Sequence, residues 1–94
     1  MSPRVRVLQR VIVRAGLDGQ LDSDRVRRAA DHVRPGDDVV VVVRGRVGVE
    51  PGAAAMLGRC LAHARTISIE GGGPFIDLFA SAVRDAARLE AATW

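Results

Sequence analysis

Ninety-four residues with 48% hydrophobic content and a net charge of +3 describe one globular domain and exclude a disordered or fibrous chain. No apolar run approaches the roughly 18–20 residues that cross a bilayer, so membrane insertion is not expected. Cys60 stands alone, which rules out an intrachain disulfide and argues against a metal cluster.

All fourteen basic residues are arginine, and lysine, tyrosine and asparagine are absent. No lysine or tyrosine therefore titrates between about pH 9 and 11, and a small arginine excess is enough to hold the pI near 10.9. A high pI is thus weak evidence for a nucleic-acid partner. The abundance of Ala, Arg, Gly and Val points to a GC-rich bacterial genome. Met1-Ser2-Pro3-Arg4 lacks the apolar stretch of a secretory signal, so a cytoplasmic location is expected.

Arg4–Leu8 alternates charged and apolar residues like a half-exposed strand, and Val11–Val13 continues the β-branched character. Whether the two segments are one strand or a hairpin turning at Gln9-Arg10 is open, because neither residue favours positive φ. Gly16–Gly19 reads as a turn. Asp22 is a candidate N-cap for a first helix, with Leu21 stapled onto Val26. Val26, Ala29, Ala30 and Val33 share one face of that helix, and Pro35-Gly36 is expected to stop it.

Five consecutive valines, Val39–Val43, read as a central strand covered on both faces. Pro51 suits the first position of a second helix, whose apolar face holds Ala53, Met56, Leu57, Cys60, Leu61 and Ala64. Thr66–Ile69 alternates as a further strand. Gly71–Gly73 breaks the chain, and Pro74 opens a last helix with Phe75, Phe79, Ala82, Val83 and Ala86 in period. The expected fold is a single small α/β domain over residues 1–94. It has a mixed or mainly parallel four- or five-stranded sheet and three main helices, in the order β(β)αβαβα.

Chemistry-bearing motifs are sparse. Gly71–Gly73 precedes a helix start but matches neither a P-loop nor a dinucleotide fingerprint, and reads as a flexible turn. His32 and His63 read as surface residues and Cys60 as a buried, inert thiol. Arg25, Arg27, Arg28 and Arg34 read as a solvated helix face, and at 3% aromatic content there are no base-stacking platforms. No catalytic residue, cofactor or metal is expected. The segment Arg44–Gly52 follows the C-terminal end of the central strand, where open α/β sheets place their binding sites.

Taken together, Gly19-Gln20-Leu21-Asp22 before the first helix, Val39–Val43 followed by Val47–Gly52, and Ile67–Pro74 resemble the STAS domain, the family of anti-sigma-factor antagonists. The resemblance runs from about Val11 to Leu89 and rests on order and spacing. It implies a non-enzymatic regulatory module that docks on an anti-sigma factor, a sensory complex or a transporter ATPase. The implied docking residues are Asp22, Arg44, Arg46, Val49, Glu50, Pro51, Gly52 and Met56. Family members carry an Asp-Ser-x-Gly-like sequence at the start of the second helix, and a partner kinase phosphorylates that serine. Here Val49 and Glu50 occupy the aspartate and serine positions, so the phosphorylatable hydroxyl is missing. Glutamate supplies one negative charge against roughly −1.5 to −2 for phosphoserine. A nucleic-acid-associated protein and a small phosphate-binding subunit using Gly71–Gly73 are the alternatives. The alternating arginines of the first strand either protect its edge or recruit a second copy.

Overall fold

A computed structural model of the chain describes residues 8–16, 20–48 and 51–93. Strands and helices alternate as β1 (Leu8–Arg14), α1 (Ser23–Ala29), β2 (Asp38–Arg44), α2 (Pro51–Cys60), β3 (Thr66–Gly71) and α3 (Ile76–Ala92). The strands form one parallel sheet in the order β1-β2-β3. The valine run is its centre, with Val41 in register with both Val11 and Ile69. Among the described residues the sheet has three strands, not the four or five expected. Residues 1–7 lie outside this description, as do Leu17–Gly19, Val49, Glu50 and Trp94. Gln9 and Arg10 run straight through β1, so no hairpin turns there.

The valine run departs from the expectation of a strand covered on both faces. Each β-α-β crossover of the common right-handed kind moves one strand in the same direction, and so each lays its helix on the same face. Burial follows this geometry. Val11, Val13, Val39, Val41 and Val43 are buried, whereas Arg10, Ile12 and Arg14 are exposed and Val40 and Val42 are half-buried. Among the described residues the sheet is therefore covered on one face only. Behind that face, α2 packs chiefly on α3 and α1 on α2. The core is filled by Phe79, Leu57, Leu61, Val26 and Val83.

Helix ends depart from expectation for local reasons. Asp22 is the N-cap of α1, its Oδ1 accepting the Asp24 N–H at 2.9 Å. The helix ends at Ala29, well before Pro35, and the chain continues in tight turns such as Val33 N–H to the Ala30 carbonyl. Buried Asp37 holds those turns, accepting the Arg34 N–H at 2.9 Å, while the Gly36 N–H reaches the His63 carbonyl. At the last helix, α3 starts at Ile76 with Phe75 as a half-exposed cap, two residues later than Pro74 suggests. Pro51 does open α2.

Candidate functional site

In a parallel sheet all strands end on one side, and their following loops gather there. Here Arg14, Arg44 and Gly71 close the three strands. The Ala15 N–H donates to the Arg44 carbonyl at 2.9 Å, and the Val47 N–H donates to the Gly72 carbonyl at 2.9 Å. Val47 is 2% exposed. The loop after β2 is thus pinned to the turn after β3, and the two behave as one surface.

Gly71, Gly72 and Gly73 have φ of +80°, +83° and +81°, a left-handed run that residues with a Cβ avoid. A Cβ on Gly71 would strike the Val43 carbonyl oxygen, and one on Gly72 would come within 2.6 Å of the Ile76 side chain. The triplet is a packed left-handed turn with a defined shape, in place of the flexible turn the sequence suggests.

Several residues expected at the site come together on this surface. Arg44 and Arg46 are exposed, and the Arg46 side chain lies against Gly73. Pro51 and Gly52 are exposed at the start of α2. Met56 is half-buried and packs on the core, so it offers only part of its side chain. Val49 and Glu50 fall outside the described residues. Asp22 lines an open hollow of about 400 Å³ with Arg14, Gly16, Gln20, Leu21 and Arg25.

Arg14 was not singled out from the sequence. It is the register partner of Arg44, which sets two guanidinium groups side by side on adjacent strands. Like charges in such a pair repel, and neither arginine forms an ion pair among the described residues. Only the strand register reveals this pair.

A second feature lies away from these loops. Ala62, Ala64, Ile67, Ala87 and Ala91 floor a shallow groove of about 270 Å³ between β3 and α3, rimmed by Arg65, Arg84 and Arg88. The Arg84 guanidinium donates to the Ile67 carbonyl at 3.4 Å. Arg65 and Thr66 both reach Asp38, at 3.9 Å and 2.7 Å, tying β3 to the start of β2.

His32 and His63 are exposed. Cys60 is half-buried, and burial pushes its thiol pKa up; Arg27 pulls it down and Asp31 adds to the rise. Among the described residues no group of three His, Cys, Asp or Glu side chains is placed to hold a metal. Among the same residues no helix is long and apolar enough to cross a membrane. No protein-family model matches the chain, and no curated protein or solved structure is significantly similar to it.

Proposed function

We propose that this chain is a non-enzymatic docking module of the STAS type, binding a protein partner through the loop after β2 and the start of α2. The observation that carries the reading is the pinned loop. Buried Val47, held by the Gly72 carbonyl, fixes the backbone while leaving Arg44 and Arg46 exposed on either side of Gly45. A preorganised, charged loop loses less conformational entropy on binding than a free one. Glu50 stands beside it in sequence, at the position where the resemblance places a phosphorylated serine. The partner class is an anti-sigma factor, a sensory complex or a transporter ATPase, and the site of action is the bacterial cytoplasm.

The test is affinity capture from the source cell with the natural chain and an Arg44→Glu/Arg46→Glu variant in parallel. A protein held by the natural chain and lost by a variant of unchanged melting temperature supports the reading. A captured set indifferent to the substitutions refutes it.

A second reading, nucleic-acid association, is favoured by the convergence of Arg65, Arg84 and Arg88 around one groove. It predicts retention of DNA at low salt with a log–log salt slope near −0.9 per neutralised phosphate. No retention at low salt refutes it.

A further inference from the structure

The groove beside β3 lies at the opposite end of the sheet from the docking loop. There β3 starts at Thr66, α3 finishes, and Ala62, Ala64 and Arg65 close the end. Arg65, Arg84 and Arg88, all exposed, stand around a floor of alanines and Ile67 in a volume of about 270 Å³.

These charges are not answered within the described residues. Arg88 has no hydrogen bond or ion pair there, although Asp85 stands three residues before it. Arg84 has Ala80, Ser81, Ala87 and Arg88 as its helix neighbours, and its guanidinium makes a single long bond of 3.4 Å to the Ile67 carbonyl. Like charges one turn apart are unfavourable in a helix. Arg65 is loosely held at 3.9 Å from Asp38, which also accepts from the Thr66 hydroxyl. Glu70, the acid on β3, is in register with Val42 and belongs to the other face of the sheet. The groove is thus a basic site with no acid of its own turned toward Arg84 and Arg88.

Its second property is a strand edge. β3 is the last strand of the sheet, and among the described residues no backbone group outside the sheet bonds to Thr66–Gly71. An extended peptide can use both properties at once. Its backbone adds to the edge of β3, and its alternate side chains fall about 6.6 Å apart on one face, close to the roughly 6 Å of helix rise between Arg84 and Arg88. A nucleic-acid strand would meet the same arginines, but it cannot extend a sheet, and the alanine floor offers its bases nothing to stack on.

We propose that this groove binds an acidic extended peptide of a protein partner, added as a strand beside β3 with alternate carboxylates on Arg84 and Arg88 and a further one near Arg65. The surface is separate from the docking loop, and the proposal holds or fails whether or not that loop binds a partner.

Fluorescence anisotropy of the full chain with a labelled peptide of about eight alternating glutamate and valine residues tests it. The expected result is saturable binding below about 1 mM, and binding at least about tenfold weaker for the glutamine–valine counterpart. Arg84→Glu/Arg88→Glu, at exposed positions where folding is not at stake, is expected to lose about tenfold or more at an unchanged melting temperature, and Arg88→Gln alone to lose part of that. Of two peptides N-methylated at alternate residues, one in each register, the one that lacks the strand-facing donors is expected to bind more weakly than the other. No binding of the glutamate peptide up to about 1 mM overturns the proposal, as does binding indifferent to both arginine variants. Equal binding of the two methylated peptides removes the added strand and overturns it too. A single-stranded oligonucleotide of similar length that binds more tightly than the peptide, and is lost in the same variants, gives the groove to nucleic acid instead.

Discussion

Two glycines in the same helix are expected to respond to alanine in opposite directions. In a helix interior, glycine to alanine normally stabilises by about 0.5–1 kcal/mol, since alanine restricts the unfolded chain and favours the helix. Gly52, in the first turn of α2, has nothing within 4 Å of an added Cβ, so Gly52→Ala should show that gain. At Gly58 an added Cβ would meet the Ala86 Cβ at 2.5 Å, the Val83 carbonyl oxygen at 2.7 Å and the Ala87 nitrogen at 2.9 Å. Two of these are backbone atoms of α3, so no rotamer change relieves the clash and the helices must part. Overpacking of this kind costs about 1–3 kcal/mol. Subtracting the propensity gain leaves, at mid-range, a net loss of about 1 kcal/mol. For a chain of this size each kcal/mol lowers the melting temperature by roughly 4–8 °C. Thermal and urea unfolding of the two variants checks the signs. Adding Ala86→Gly to Gly58→Ala removes one of the three contacts and should recover part of the loss, a coupling expected only between touching residues. A Gly58→Ala chain as stable as the natural one would refute the close α2–α3 crossing.

Other substitutions read other joints of the fold by the same unfolding assays. Gly71→Ala combines a left-handed φ with a collision on the Val43 carbonyl and should cost at least about 1–3 kcal/mol. Asp37→Ala removes the acceptor for the Arg34 N–H and should cost about 1–3 kcal/mol, without helix loss in circular dichroism. The raised pKa of Cys60 means the folded chain holds the thiol proton more tightly than the unfolded chain does. That contribution to stability is complete below the ordinary thiol pKa of about 8.5 and is lost as pH rises through the higher folded value. Cys60→Ala should therefore flatten the alkaline end of a stability-versus-pH curve, and a thiol reagent at pH 8 should label the folded chain more slowly than the denatured one.

Elements with a local cause were legible in the sequence. Asp22 caps α1 because its side chain reaches an amide two residues on, and Pro51 opens α2 because that position needs no N–H. Features set by distant residues were not. The early end of α1 depends on Asp37 and on the His63 carbonyl, and the shape of the glycine triplet depends on Val43, Val47 and Ile76. Gly58 looks like a poor helix residue until α3 lies against it. At the candidate site, Arg44 and Arg46 follow from their place after the central strand, while the Arg14–Arg44 pair needed the register between two strands thirty residues apart.

The valine run shows why strand order matters more than composition here. Five valines forbid a polar face on the central strand, and on that ground alone both faces should be buried. Yet sidedness is decided by the connections. With strands in the order β1-β2-β3, successive right-handed crossovers place α1 and α2 on one face, where α3 packs against α2, and covering the other would need a reversal of strand order or material from elsewhere. A pair of substitutions separates these causes. Val41, fully buried, faces the helices, and Val41→Asp would bury an unpaired carboxylate and unfold the chain. Val42, one residue along and half-buried, faces the bare side, and Val42→Asp should leave the monomer folded. If both variants unfold equally at concentrations low enough to exclude association, the second face is covered within the chain itself and the one-sided sheet is wrong. If only Val41→Asp unfolds, then Val40 and Val42 do nothing for the monomer that a polar residue would not do, and their apolar character serves whatever lies against that face.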